Sequence, residues 1–473
     1  MSKIKSLVLG SAAAIVAIGG AQAADLPVKA KAVEYVKVCS LYGAGFYYIP
    51  GTDTCIRIGG YLRAEVTIGG NASDNTFQNG DAALGFRTGN QYQTRGRIMM
   101  NIDTRTATEY GVVRTFAAFG PQFTSATTNT PAAPDTQGNG GMRVEAAFVQ
   151  FAGFTFGRSA SAYALPWNGA PGNLNSGLMG GPNYDAGVNN VQYTWQFGNG
   201  ISASIGVDGQ EQANRTGLAV GGITNAATGA YLNGYVAPNS VDVVGNIRLD
   251  QAWGLLQFSA AAHQVDGSYY SLSTAGAPTN TTLGHPGDKW GFAVTGALQL
   301  KNLPTGPGDD IKISGTYTEG ALRYVLGQSG ATPLNFNSID GNSIVALPVA
   351  DGVFSSTPGS AIQLTKAYGF NGAFNHNWNR NWSSSIFGSY THVDYNGAAS
   401  VTLCGVGCNP DFNVSQAGLS TTWKPVKDLA FIAEGSWIHI DQNMVGTATV
   451  ASRTYNYGDT NRFSGIFRVQ RNF

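Results

Sequence analysis

The sequence predicts an all-β fold, a 16-stranded antiparallel transmembrane β-barrel with short periplasmic turns and long external loops. Three observations carry this prediction. The C-terminal segment alternates between apolar and polar residues and ends on Phe473, many other segments share its two-residue period, and the connections alternate between short and long. Successive side chains of a strand point to opposite faces of a sheet, so this pattern suits a wall between lipid and water.

The final segment, 460–473, shows the alternation clearly. Its apolar positions are Phe463, Gly465, Phe467, Val469 and Phe473, and its polar positions are Arg462, Ser464, Arg468, Gln470 and Asn472. Arg471 falls on the apolar side, but it lies beside the chain end, where a long side chain can reach the interface. A C-terminal strand that ends on Phe is typical of outer-membrane barrels. We therefore expect a multi-pass protein of a Gram-negative outer membrane whose last strand binds the barrel-assembly machinery.

The N-terminus has the features of a secretory signal peptide. Lys3 and Lys5 precede an apolar run at 7–18, and Ala21-Gln22-Ala23 matches a small-x-small cleavage site. The run is too short to cross a bilayer as a helix. The predicted regions are a signal peptide at 1–23, an N-terminal periplasmic segment at 24–55 and a transmembrane barrel at 56–473.

Composition excludes several other classes of protein. Charged residues make up 12% of the chain, about half the usual share of roughly 25%. Aromatic residues reach 11%, which argues against disorder. No apolar run after the signal is long enough for a spanning helix, so a helical membrane protein is excluded. Removing Lys3 and Lys5 from 28 basic and 28 acidic residues leaves a net charge of −2, and nothing in that balance indicates nucleic acid.

About sixteen segments have the period of strands. They are 56–68, 94–103, 109–119, 142–151, 154–158, 190–197, 201–208, 241–250, 253–263, 290–300, 311–319, 366–376, 382–393, 412–423, 429–440 and 460–473. Those at 109–119, 142–151 and 412–423 alternate weakly, so the sequence does not fix their facing. Seven short links, among them 104–108, alternate with eight long loops, as sixteen strands with both ends in the periplasm require. A soluble sandwich has no reason to place long loops only at every second connection.

Four sequence motifs indicate which protein family the chain resembles. They are the run 38–61 containing Cys39, Cys55 and Ile56-Arg57-Ile58-Gly59-Gly60-Tyr61, the run 148–158, Trp423-Lys424-Pro425-Val426, and Val469-Gln470-Arg471-Asn472-Phe473. Together they resemble the general porins of alphaproteobacteria, of the rhizobial and Brucella type. The resemblance runs from Cys39 to Phe473 and is weak in the long loops. It implies a homotrimer of barrels among outer-membrane lipids and lipopolysaccharide that passes small hydrophilic solutes and ions by diffusion, without a cofactor.

A barrel of this strand number leaves an aqueous channel, whose selectivity depends on lumen width and charge. Porins of this kind fold the third external loop into the lumen, and here that loop is 159–188. Its candidate lining residues are Tyr163, Trp167 and Asp185. The alternative is an ordinary surface loop.

Arginines on the early strands are the candidates for the wall that faces this loop. They are Arg63, Arg95, Arg97, Arg114 and, with a less certain facing, Arg143 and Arg158. Arginine on the lipid face at the midplane costs about 2–4 kcal/mol, which favours inward placement. Two interpretations stay open and are compatible: a cationic ladder for anions, or wall-stabilising pairs with Glu65, Asp103 and Glu145. The loop offers little acid beyond Asp185, so the sequence leaves the sign of ion selectivity open.

The four cysteines suit two disulfides in an oxidising compartment. Cys39 and Cys55 are sixteen residues apart, and a bond between them would tie the N-terminal segment to the barrel base, stabilising it by roughly 3 kcal/mol. Cys404 and Cys408 would close a small ring at a loop tip. A metal site at that C-x-x-x-C is disfavoured because no histidine or second cysteine pair lies near.

An enzyme is disfavoured because the five histidines are scattered over different strands and loops. Ser389 and His392 could mimic a nucleophile and base, but they are an odd number of residues apart and face opposite ways. A solute-specific porin is the main alternative to a general one. A non-conducting structural or adhesin barrel is another, and a lack of conductance would reveal it.

Overall fold

A computed structural model describes residues 37–69, 92–125, 139–174, 177–184, 186–210, 214–224, 231–274, 276–327, 335–450 and 452–473. The predicted signal peptide 1–23 and the first part of the predicted periplasmic segment, 24–36, lie outside these residues. No helix in the described part of the chain is long and apolar enough to cross a membrane.

Sixteen antiparallel strands form one closed sheet in which each strand pairs with its neighbours in sequence. The strands are β1 Thr54–Ile68, β2 Tyr92–Thr108, β3 Gly111–Thr124, β4 Asn139–Phe151, β5 Phe154–Ser159, β6 Val188–Gly198, β7 Ile201–Gly209, β8 Val241–Gln251, β9 Gly254–Val265, β10 Lys289–Lys301, β11 Asp310–Glu319, β12 Lys366–Asn377, β13 Trp382–Asp394, β14 Phe412–Val426, β15 Leu429–Gln442 and β16 Thr460–Asn472. The first and last strands close the barrel, with Tyr61 opposite Asn472 and Ile68 opposite Gly465. The predicted 16-stranded antiparallel barrel is confirmed.

The connections alternate between short and long, as predicted. Outer-membrane barrels have their long loops on the external side, so the end of the barrel with the long loops is the external end. The predicted short link 104–108 is wrong in its bounds. β2 continues to Thr108, so only residues 109–110 form the turn. The segment stays extended because its threonines favour strands and because Arg105 pairs with Asp103 on the inner face, with Nη2 3.1 Å from Oδ2.

The two faces of the wall differ as the alternation predicts. On β1, the side chains of Ile58, Leu62 and Ile68 point outward and are 47%, 56% and 59% exposed. Glu65, at the alternate phase, is buried on the inner side. On β16, the outward side chain of Phe463 is 72% exposed, while Arg468 is buried inside.

The described parts of the external loops at 210–240, 320–365, 395–411 and 443–459 fold into a packed body, called the loop body below. Two four-stranded sheets contribute, one from Gly217–Thr224, Tyr231–Asn233, Ala350–Ser355 and Gln363–Leu364, the other from Asn335–Asp340, Ser343–Pro348, Thr447–Val450 and Arg453–Tyr457. Two helices, Arg323–Leu326 and Gly397–Cys404, pack with them. The loops thus have secondary structure of their own above the barrel.

The core of this loop body includes inward-facing residues of the barrel itself. Its loop members include Leu322, Val325, Phe336, Leu347 and Val353, and its barrel members include Val393, Phe412, Val414, Ile438 and Ile440. The external ends of β13, β14 and β15 are therefore apolar on their inner side, where a water-filled barrel is normally polar. This explains the weak alternation of 412–423.

Asp351 is the polar centre of the loop body. Its carboxylate accepts hydrogen bonds from the backbone N–H of Thr216 at 2.9 Å, the backbone N–H of Leu322 at 2.6 Å and the hydroxyl of Tyr235 at 2.9 Å. The Tyr235 hydroxyl also lies 3.2 Å from Nε2 of His263 on β9. One buried carboxylate thus connects two external loops to the barrel wall.

Both predicted disulfides are present. Cys39 bonds to Cys55 with their Cα atoms 6.1 Å apart, and Cys404 bonds to Cys408 with their Cα atoms 5.7 Å apart. The first joins the N-terminal segment to the start of β1. The second follows the helix Gly397–Cys404 at the end of a loop.

Replacing Asp351 by alanine should loosen the loop body while the barrel stays closed. The change leaves three buried donors without their acceptor, a loss of about 3 kcal/mol or more. Amide hydrogen exchange at 216–221 and 350–355 should accelerate about 100-fold, and exchange in β1 and β16 should not change. Asp250→Asn is the matched control, because the Asp250–Lys301 pair is exposed and worth at most about 1 kcal/mol. Equal exchange in both variants would show that Asp351 does not hold the loops.

Candidate functional site

The inner face of β1–β4 and β16 carries a continuous field of arginines. Arg63 on β1 lies opposite Arg97 on β2 and Gln470 on β16, and its Nε donates to Gln470 at 2.9 Å. Arg95 lies opposite Glu65 in the same register. Antiparallel pairing puts opposite residues on one face, so these side chains all point into the barrel.

Two carboxylates in the middle of this wall each bind two arginines. Glu65 contacts Arg95 at 3.1 Å and Arg468 at 2.8 Å. Glu145 contacts Arg97 at 3.1 Å and Arg143 at 2.9 Å. The arginines are therefore held in fixed positions by shared ion pairs.

A third carboxylate organises the periplasmic end of the wall. Asp103 is 1% exposed and contacts Arg57 at 3.7 Å, Arg105 at 3.1 Å and Arg114 at 3.0 Å. Arg114 also donates to Gln150 at 2.9 Å. The arginines outnumber the acid here by two.

The whole wall has a formal excess of positive charge. Seven arginines, at 57, 95, 97, 105, 114, 143 and 468, contact the three carboxylates of Glu65, Asp103 and Glu145. Arg63 binds Gln470 instead, so these eight arginines and three carboxylates leave five positive charges. Ion pairs and a surplus of arginine thus occur on the same wall, so the two sequence interpretations remain compatible. If the alternation of the predicted strand 94–103 is extended by two residues, Arg105 joins the candidate arginines of the wall.

A β-bulge decides the facing of Arg143. The pairing of β3 with β4 shifts between Ala118 and Phe119, so Glu145 is an extra residue on β4. Beyond the bulge, Arg143 lies opposite Gly120 and points inward. Arg158 shares the outward phase of Phe156, and its Nε donates to the backbone carbonyl of Val144 at 3.1 Å.

The described residues of the third long loop, 160–174, 177–184 and 186–187, lie inside the barrel and follow the opposite wall. Gln257 on β9 donates to the carbonyl of Ala164 at 2.8 Å. Lys312 on β11 and Asn375 on β12 donate to the carbonyl of Pro171 at 3.1 and 3.0 Å. In a ring of sixteen strands, β9 to β12 lie across from β1 to β4, so the loop faces the arginine wall.

Gln416 on β14 holds the far part of this loop through both ends of its amide. Its Nε2 donates to the carbonyl of Gly177 at 3.0 Å, and its Oε1 accepts from the N–H of Met179 at 2.8 Å. The next residue, Gly180, has φ +86°, and a Cβ there would lie 2.3 Å from the carbonyl oxygen of Phe370. Only glycine fits this close approach of loop and wall.

The predicted loop residues have different places. Tyr163 is fully buried, with its hydroxyl 2.7 Å from that of Thr295 on β10. Trp167 packs with Leu165 against inner-wall residues Leu255 and Ala297. Both side chains lie between loop and wall because their apolar surfaces are covered there. Asp185 lies outside the described residues.

Residues 25–466 match the model of a family described as a porin subfamily. The chain belongs to this porin family. It is therefore a multi-pass protein of the Gram-negative outer membrane, and its family indicates a channel rather than an enzyme. The resemblance to alphaproteobacterial porins is confirmed.

Relatives agree with this assignment. Porin Omp2b of Brucella abortus strain 2308 and that of Brucella melitensis 16M are each 34% identical over 254 residues, which is 53% of this chain. That match spans 63% of the relatives' length. The crystal structure of the outer membrane channel DcaP of Acinetobacter baumannii matches with a TM-score of 0.57 and 15% identity, over 90% of this chain and 99% of that one. This likeness shows a common fold.

Replacing Arg95 and Arg97 together by serine should shift ion selectivity towards cations. Two positive charges leave the wall, while Glu65 keeps Arg468 and Glu145 keeps Arg143. We expect the anion-to-cation permeability ratio to fall by a factor on the order of two to ten, measured as the reversal potential in a salt gradient. Arg158→Ser, on the outer face, is the matched control. An identical shift in the control, or no shift in the double variant, would contradict an arginine-lined path.

Proposed function

We propose that this protein forms a water-filled channel for passive diffusion of small hydrophilic solutes and ions, with a preference for anions. The observation that carries the proposal is the cationic inner wall of β16 to β4, facing a loop that is hydrogen-bonded along the opposite wall. Membership of the porin family supports a channel, and the arginine surplus supports the preference for anions.

The proposed roles of the site residues follow from their positions. Arg63, Arg95, Arg97, Arg114 and Arg143 line the path and attract anions. Tyr163 and Trp167 anchor the loop to the wall and so set the width of the lumen. Asp185 contributes a negative charge to the same loop.

We also propose the partners that the family resemblance implies. Three copies assemble as a homotrimer in outer-membrane lipids and lipopolysaccharide. Residues 24–55 lie in the periplasm, and the last strand, which ends beside Phe473, is the part that the barrel-assembly machinery binds. Electrophoresis in mild detergent without heating tests the trimer, since a band of monomer size alone would remove it.

Single-channel recording in planar bilayers tests the function itself. A general channel gives a current that rises linearly with salt concentration and shows selectivity for anions. Saturation by one solute at low concentration would favour a solute-specific porin. A purified, folded barrel that never conducts would favour a structural or adhesin role.

Deleting 165–180 should raise the single-channel conductance about twofold, because a loop inside the lumen displaces water and ions. The deletion removes Trp167 and the segment that Gln416 binds. Far-UV circular dichroism and heat-dependent mobility check that the barrel still folds. Gln416→Ala is the milder companion, and we expect it to increase current noise with a smaller change in conductance. Unchanged current in both variants would place the loop outside the conducting path.

A further inference from the structure

The N-terminal segment folds back across the inner side of the barrel at its periplasmic end. The N–H of Cys39 donates to the carbonyl of Phe46 at 2.9 Å, and Tyr47–Tyr48 pairs with the start of β1. The disulfide joins Cys39 to Cys55, which lies opposite Arg105 of β2. Because Arg105 points inward, the segment is fixed on the lumen side of the wall.

Two aromatic rings of this segment hold arginines of the wall. The guanidinium carbon of Arg105 lies 5.6 Å from the ring centre of Tyr42 and 4.9 Å from that of Phe46. Arg57 lies 5.0 Å from the ring centre of Phe46. Cation–π contacts of this kind attract the guanidinium groups to the rings and help to hold them in place.

A cavity of about 490 Å³ opens between the segment and the wall. Its polar lining includes Tyr42, Arg105, Arg114, Gln150, Thr155 and Gln196. This volume falls in the range of small-molecule sites, roughly 300–1,000 Å³. Its two lining arginines, Arg105 and Arg114, belong to the group of three arginines around Asp103, so the cavity has a local surplus of positive charge.

Two donors of residues that line this cavity have no hydrogen-bond partner in the described part of the chain. The hydroxyl of Tyr42 is buried and has no hydrogen-bond partner in the described part of the chain. Arg105 donates its Nε and Nη2 to Asp103 at 3.2 and 3.1 Å, which leaves Nη1. An oxyanion would satisfy both donors, and charge-assisted hydrogen bonds of this kind are the stronger ones.

We propose that this cavity is a second selectivity site, which binds the carboxylate or phosphate group of a small organic anion at the periplasmic end of the channel. The proposal rests on the proposed channel function and adds a ligand class and a place to it. Arg105 and Arg114 supply the charge, and Tyr42 supplies a neutral donor. The Cys39–Cys55 disulfide keeps Tyr42 over the site.

Current block by benzoate and by phenyl phosphate, added to either side of a planar bilayer, tests the proposal. Both probes should block the wild-type current, and block should require a lower concentration from the side of the short turns. Arg105→Gln should raise the half-blocking concentration on the order of tenfold or more, and Tyr42→Phe by several-fold, since each removes a donor to the anion. Block by only one probe would assign the site to carboxylates or to phosphates.

Tyr110→Phe is the matched control, because it removes a phenol hydroxyl from an exposed side chain at the same end of the barrel. A double Cys39→Ser, Cys55→Ser variant frees the segment, and in that background Tyr42→Phe should have no further effect. Equal block in Tyr42→Phe, Tyr110→Phe and wild type, or block that Arg105→Gln does not change, would overturn the site.

The site and the channel can fail separately. A wild-type protein that conducts without block by either probe overturns the site and leaves the channel standing. A protein that does not conduct overturns the channel, and calorimetric titration of benzoate into the detergent-solubilised full chain then decides the site. Binding that Arg105→Gln weakens would support the site, and absence of binding would overturn it.

Discussion

The structure depends on one constraint, which is that a backbone inside a bilayer has no water to bind. Each unpaired N–H or C=O group there costs several kcal/mol, so the sheet must close on itself. The pairing of β1 with β16 meets this requirement along eight residue pairs, from Tyr61–Asn472 to Ile68–Gly465. Because the outer face is in contact with lipid, the charged side chains that set selectivity must lie inside.

The interior is divided into two unlike halves. From β9 to β15 the inner wall is covered, first by the loop 160–187 and then, towards the external end, by the apolar core of the loop body. From β16 to β4 the inner wall presents arginines, with carboxylates buried between them. In the covered half, Asp351 and Gln416 hold the loops in place through hydrogen bonds to their backbone. In the charged half, Glu65, Asp103 and Glu145 bind the arginines and hold them apart.

The sequence predicted the parts that follow a simple period, namely the sixteen strands, the alternation of connections and the inward facing of Arg63, Arg95, Arg97 and Arg114. The sequence-based prediction failed where the register of a neighbouring strand or a contact with residues far away in sequence changes the two-residue alternation of a strand. The bulge at Glu145 reverses the phase of β4, so the facing of Arg143 needed the register of β3. Phe412 and Val414 are apolar on the inner side because loops far away in sequence cover them. Tyr42 lies outside the strands, so no alternation pattern predicts its position, which depends on a disulfide and on Arg105.

Selectivity and barrel closure share the same side chains. Glu65 is wholly buried and joins Arg95 of β2 to Arg468 of β16, while Arg63 reaches Gln470 across the same seam. These contacts connect the side chains of the first and last strands, where no loop links them. A change that alters the charge of this wall therefore also alters the joint that keeps the sheet closed. An arginine of the early strands can be replaced without opening the barrel only where its carboxylate retains an ion pair with a second arginine. Glu65 would retain Arg468, and Glu145 would retain Arg143. This requirement restricts the positions at which selectivity can change.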